Sequence, residues 1–250
     1  MSIAVIQPGR LGDILICQGI VNTLCKDNYA FWPVTKEYYE IFKHFKNVFP
    51  FKLVGDLNKS YKEAEYTISS FYQELVEPKI YDICFGFIGT EKITSEWEKS
   101  GLPFDEYKYK LSEVDFEYKW EKFKWQRYKN KEEEVWNHFN IQESYVFVHD
   151  CIHHSPELQL KINTNKRIIR TKNIKKCTVL DYYKVIKNAD EIHCIDSSFS
   201  NFIDLAKLNI PKYMHYYIRP ESRNKQLRAT LREDWIKLEA EPVQSLARSI

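Results

Sequence analysis

Glycine is scarce in this chain, with seven residues in 250. Folds that cradle phosphates on bare backbone place glycines in fixed patterns, and neither common pattern is present. Gly9-Arg10-Leu11-Gly12 lacks the G-x-G-x-x-G spacing, and no acidic residue ends the apolar run near Val34, which disfavours a nicotinamide dehydrogenase. The absence of G-x-x-x-x-G-K-[ST] excludes a P-loop enzyme.

An excess of one charge is missing too. Against 37 Lys plus Arg stand 35 Asp plus Glu, a formal net charge of +2, so nothing global argues for nucleic acid or an anionic membrane as partner. No stretch approaches the roughly 20 apolar residues of a membrane span. The apolar run Ile3 to Ile6 has no basic leader or cleavage site, so neither secretion nor membrane insertion is expected. The cysteines, at 17, 25, 84, 151, 177 and 194, form no C-x-x-C pair and fall mostly in apolar segments, the usage of reduced thiols in a cytoplasmic protein. Asp-x-Asp is absent, and His153-His154 lacks partners at zinc-ligand spacing, so no metal and no other cofactor is expected.

What the chain has is alternation. With 44% apolar residues it can fill ordinary cores. Ile3 to Ile6 reads as a strand, and Ile14, Cys17, Ile20, Val21, Leu24 and Cys25 repeat at helical steps, with Gln18, Asn22 and Lys26 on the opposite face. Strands follow at Tyr29 to Val34, Phe51 to Val54 and Tyr81 to Phe87, with helices near Lys36 to Lys46 and Glu63 to Leu75. From Glu91 to Asn140 the rhythm breaks into a loop, an aromatic inter-domain segment around Trp120 and Trp125, and a helix from Lys131 to Phe139. A second unit then shows strands at Tyr145 to Asp150, Arg167 to Arg170 and Glu191 to Ile195, and helices at Val179 to Lys187 and from Phe199 to Ala206. The expectation is an α/β protein of two Rossmann-like domains facing each other across a cleft, residues 1–135 and 136–250.

Two strand-to-helix junctions carry the candidate chemistry. In Gln7-Pro8-Gly9-Arg10-Leu11-Gly12-Asp13, Gly12 permits a tight turn and Asp13 stands at the mouth of a crevice; the plain alternative is that Asp13 caps or charges the helix start. In Asp196-Ser197-Ser198-Phe199-Ser200, hydroxyls, free amides and a helix dipole offer a phosphate cradle, and the alternative is again capping. Arg10, Lys161, Arg167 and Arg170 are candidate cations, with Arg170 preferred, while His149-Asp150 ends a strand as a candidate site pair whose plain alternative is structural. The basic cluster Arg219, Arg223, Lys225, Arg228 and Arg232 reads as a solvated helix face, and Lys119 to Lys131 as a packed amphipathic linker helix.

Taken together, Leu11-Gly12-Asp13-Ile14 after a strand, and Ala189-Asp190-Glu191-Ile192-His193-Cys194-Ile195-Asp196-Ser197-Ser198 before a helix, resemble glycosyltransferases of the heptosyltransferase type, family 9, which have the GT-B fold. The second motif is also similar to that of GT-B fucosyltransferases. Where the family has Gly-Pro or a similar pair and a histidine after the second motif, this chain has Ser198-Phe199 and then Asn201. The resemblance implies metal-independent, inverting transfer from an ADP-, GDP- or UDP-linked sugar to the hydroxyl of a saccharide or glycoconjugate. Asp13 would be the catalytic base. Arg170, Asp196, Ser197, Ser198 and His149 would hold the donor, and Arg10 and Gly12 an acceptor or phosphate. The rival readings are an epimerase or hydrolase of nucleotide sugars on the same fold, and a non-catalytic sugar or nucleotide binder.

Overall fold

A computed structural model describes residues 3–25, 29–53, 62–64, 79–86, 90–151, 160–216, 222 and 224–239. Every strand in it is parallel to its neighbours. The first sheet holds β1 (Ile3–Ile6), β2 (Ala30–Thr35), β3 (Val48–Leu53) and β4 (Lys79–Asp82) in the order β3-β2-β1-β4. The second holds β5 (Tyr145–His149), β6 (Arg167–Arg170), β7 (Glu191–Cys194), β8 (Lys212–His215) and β9 (Trp235–Leu238) in the order β6-β5-β7-β8-β9. β1 and β5 are buried along their whole length because they are central strands, which is why both read as unbroken apolar runs.

The helix α1 (Leu11–Leu24) follows β1. Its burial differs from the two-faced pattern expected. Gln18 is as fully buried as Ile14 and Ile20, and the Asn22 amide donates to the Lys122 carbonyl at 2.8 Å. The cause lies in the next segment. Where a loop was expected after Glu91, three helices form: α2 (Glu91–Ser100), α3 (Phe104–Leu111) and the single turn α4 (Tyr118–Glu121). Thr90 caps α2, and Gly101, at φ 69°, ends it in a left-handed conformation that glycine adopts without penalty. α3 and α4 cover the side of α1 that would otherwise be wet, and a Cβ on Gly19 would collide with the Tyr109 hydroxyl and the Tyr118 carbonyl.

Other expectations are refined. Lys36–His44 is a 3-10 helix rather than an α-helix. Val179–Lys187 divides into a 3-10 turn (Val179–Tyr182) and α6 (Tyr183–Lys187), and the helix α5 (Lys129–Phe139) spans residue 135 and packs beside them. The Lys119 to Lys131 stretch is not one linker helix, although Phe116, Trp120 and Phe123 do pack inward. The helix expected from Glu63 to Leu75 falls mostly outside the described residues, as do His153, His154, Arg219 and Arg223. The remaining basic cluster is no helix face: Lys225 lies in a 3-10 turn, Lys225–Leu227, Arg228 pairs with Glu239 at 2.6 Å and Arg232 with Asp234 at 3.1 Å.

After β7 the helix α7 (Ser198–Leu205) packs directly on α1, so one apolar core runs from Ile3 and Val5 of the first sheet through Ile14 and Ile20 to Phe202 and Trp235 of the second unit. Trp125 meets the Phe202 ring edge-on at 5.4 Å. Buried carboxylates tie the helical segment across this junction. Asp105 accepts from the Lys119 ammonium at 2.7 Å and the Thr230 amide at 2.8 Å, and Asp204 accepts from the indoles of Trp120 at 2.6 Å and Trp235 at 2.9 Å. Among the described residues no helix is long and apolar enough to cross a membrane.

Candidate active site at the heads of two helices

The loop between β1 and α1 is pinned to β2: the Trp32 indole donates to the Gln7 carbonyl at 2.7 Å and the Thr35 amide to the Pro8 carbonyl at 2.9 Å. Arg10 is the N-cap residue of α1 and makes no capping bond with its side chain. Asp13 lies in the first turn, where the dipole favours a carboxylate, but it caps nothing. Its Oδ1 stands 3.3 Å from the Lys108 ammonium on α3. Asp13 is 22% exposed, against 2% for Lys108.

Both residues line a pocket together with Gln7, Gly9, Arg10, Cys84, Phe85, Gly86, Trp97, Phe104 and Leu227. Leu227 comes from the second unit, so both halves build the pocket. Arg10 stands exposed at its mouth. Burial pushes the thiols of Cys17 and Cys84, which flank the pair, up to about 12. Burial also works against the Lys108 charge, yet Asp13, with help from the two cysteines, leaves that ammonium above the ordinary lysine range.

The second junction meets the first at Gly12. This glycine is helical, so its use is not the tight turn expected but close approach: a Cβ there would stand 2.8 Å from the Asn201 amide nitrogen and 3.9 Å from the Ser198 backbone nitrogen. Ser197 caps α7 with a reciprocal box, its hydroxyl accepting from the Ser200 amide at 3.4 Å while its own amide donates to Ser200 Oγ at 2.9 Å. Ser198 opens α7, and its hydroxyl makes no hydrogen bond among the described residues. Asn201 is 5% exposed and its Oδ1 lacks a partner among those residues. Asp196 accepts from the Ser222 hydroxyl at 3.3 Å.

Two donor-side candidates are engaged elsewhere. The Arg170 guanidinium pairs with Asp150 and donates to the Leu160 carbonyl at 2.9 Å, and Asp150 also takes the Leu160 amide at 2.9 Å. His149 is bonded through Nδ1 to Thr171 Oγ1 at 2.8 Å and stacks on Phe199 at 4.3 Å, which sets its ring beside the first turn of α7. Arg167 donates to the carbonyls of Phe139 and Asn140. Sequence reasoning missed Lys108, Gln7, Trp97, Phe104 and Leu227. For Lys108 one signal existed: Asp105, Lys108 and Ser112 recur at helical spacing as a polar stripe, and all three are buried.

Two parallel sheets with helix heads meeting between them are the architecture of the GT-B fold. Solved structures agree. The chain is similar to the family 9 glycosyl transferase of Veillonella parvula DSM 2008 (TM-score 0.61, 8% identity, over 96% of this chain and 86% of that one). It is also similar to the E. coli ADP-heptose lps heptosyltransferase II (TM-score 0.56, 12% identity, 95% and 90%) and to the E. coli heptosyltransferase WaaC with ADP (TM-score 0.50, 11% identity, 96% and 94%). At these identities the likeness is one of fold. No protein-family model matches the chain, and no curated protein is similar to it in sequence.

Proposed function

We propose that this protein is a glycosyltransferase that moves a sugar from a nucleotide-sugar donor to an acceptor hydroxyl with inversion and without a metal. The observation that carries the reading is the carboxylate of Asp13, half-open to a pocket at the head of α1, one residue from the contact between that helix and the head of α7. A glycosyl acceptor needs a carboxylate within hydrogen-bond reach of its hydroxyl, and Asp13 supplies it. The acceptor oxygen bonds to the anomeric carbon from the face opposite the leaving group, its proton passes to Asp13, and the carbon–oxygen bond to the nucleoside diphosphate breaks with both electrons going to the phosphate.

The leaving charge falls on the Ser198 and Phe199 amides, which the Ser197–Ser200 box does not use, and on the Ser198 hydroxyl, where a helix N-terminus favours an anion. Arg10, at the pocket mouth, is the cation on the acceptor or phosphate side. Arg170 takes part only by exchanging Asp150 for the ligand, so it is the weaker candidate. The aromatic wall of Phe85, Trp97 and Phe104 suits the apolar face of a sugar ring.

Thermal melting against ADP, GDP, UDP and their sugars tests the donor site, because a ligand of the native state raises stability. One nucleotide is expected to raise the melting temperature; none doing so sinks the donor-site reading. The two rivals separate on turnover: an epimerase or hydrolase consumes the donor without acceptor, and a binding protein consumes nothing.

A further inference from the structure

We propose that Lys108 is the positioning residue of Asp13: its buried ammonium holds one carboxylate oxygen so that the other faces the pocket. The inference rests on Asp13 being the base. A lysine ammonium has three N–H donors. Here two of them are hydrogen-bonded, to Gln7 Oε1 at 2.6 Å and the Ile83 carbonyl at 2.6 Å, and the ammonium forms an ion pair with Asp13 Oδ1 at 3.3 Å. The first two are anchored to the sheet. Gln7 follows β1 and Ile83 follows β4, and the register that sets Ile6 beside Asp82 brings them side by side. Gln7 is fixed again, because its Nε2 donates to the Gly9 carbonyl.

Lys108 itself is held by α3, which the Tyr109 hydroxyl ties to the Ile16 carbonyl of α1 at 2.9 Å. Of the three partners, the Ile83 carbonyl is backbone and the Gln7 amide is tied at its other end to Gly9, so the Asp13 side chain is the one whose rotamer the ammonium sets. With Oδ1 engaged, Oδ2 is the oxygen left for an acceptor hydroxyl.

The sign of the charge separates orientation from basicity. A cation beside Asp13 opposes the proton uptake that a base must perform, so as a mere electrostatic neighbour Lys108 would slow transfer. Burying an ammonium is also costly. What the lysine supplies is a fixed carboxylate, and misplacing a reacting group by about 1 Å is enough to cost about 100-fold in rate. The Lys108 ammonium stays charged near neutrality, since Asp13 outweighs the burial that works against it.

The test is a cycle of Asp13→Asn, Lys108→Met and the double variant, read by melting, by affinity for ADP, GDP and UDP, and by release of nucleoside diphosphate from the sugar of whichever nucleotide binds, with a panel of saccharide acceptors present. Asp13→Asn strands a buried cation and is expected to lower the melting temperature by on the order of 10 °C, most of which the added Lys108→Met restores. Two losses that simply add overturn the pairing. Lys108→Met alone is expected to lower kcat about 100-fold while leaving nucleotide affinity unchanged. A kcat at or above that of the unaltered protein overturns the positioning role, because the lysine would then act only as a brake. Lys108→Gln, which keeps two N–H donors without the charge, carries the same test where Lys108→Met does not fold. If the unaltered protein releases no nucleoside diphosphate from any donor, the transferase reading falls, while the melting cycle still decides the pairing.

Discussion

The two helix heads that meet at Gly12 are alike in sequence logic and opposite in use. Each follows a central or near-central parallel strand and carries a polar side chain in its first turn. At α7 the polar groups are spent locally: Ser197 and Ser200 satisfy each other's amides, so the cap is part of the fold. At α1 no side chain caps the helix, and the carboxylate of Asp13 is instead matched to a lysine nearly a hundred residues away in sequence. A self-satisfied cap makes a stiff edge against which a ligand can lie. An acid held by a distant element is a group kept for something other than the helix.

The sharpest way to break this contrast is to neutralise each head in turn. Asp13→Asn is expected to lower transfer by about 10³-fold, with nucleotide affinity nearly intact, in an assay of nucleoside diphosphate release. Loss of nucleotide binding in step with activity would instead make Asp13 a structural acid.

A smaller effect separates the units by pH. His193 and His215 bond to each other at 3.0 Å between β7 and β8, and burial lowers both, His215 to about 4 from an ordinary 6.5. The residues facing them are the Tyr213 ring, stacked on His193 at 4.6 Å, and Glu191, 3.6 Å away. Depressed folded-state values mean that the unfolded chain binds more protons in this window, so stability is complete above about pH 6.5 and falls as the pH drops towards 4. A loss of about 2 kcal/mol by pH 4.5 is expected from His215. Melting curves of the protein and of His215→Phe check it, the variant being the flatter with pH.

Gly12→Ala tests the contact itself. The added carbon would stand 2.8 Å from the Asn201 amide, so a loss of roughly 1–2 kcal/mol is expected, recovered in part when Asn201→Ala is added. Smallest is Ser197→Ala, which removes a cap for about 1 kcal/mol and should leave kcat nearly unchanged. A kcat deficit as large as that of Asp13→Asn would erase the distinction between the heads.

Much of this was legible in the sequence because parallel central strands leave a local signature. Ile3 to Ile6, Tyr145 to Asp150 and Arg167 to Arg170 read as strands, against observed strands at Ile3–Ile6, Tyr145–His149 and Arg167–Arg170, and both junctions stood out from their order alone. β8 and β9 went unseen: Lys212 is a buried lysine in a strand only four residues long, and its ammonium is satisfied by the Leu208 carbonyl and Asp234. The helices from Glu91 to Glu121 were masked by the same effect. Their buried faces carry Asp105, Lys108 and Lys119, charges that look solvated until the partner is known. At the site, Asp13 and Ser198 were visible as residue types at a junction, whereas Leu227 depends on contacts across the chain that no local pattern records and Lys108 left only its place in a polar stripe.

The apolar core that passes from the first sheet through α1 into α7 has a thermodynamic consequence. Neither sheet has a closed interior of its own along that seam, since Ile14 and Ile20 of α1 lie in one cluster with Val5 and Trp32 of the first sheet and with Phe202 of the second unit. Unfolding either half would expose the other's interior, so the free energy of the seam is lost once and shared by both. Calorimetry of such a molecule is expected to give a single heat-absorption peak, with equal calorimetric and van't Hoff enthalpies, where two lobes on a hinge would give two.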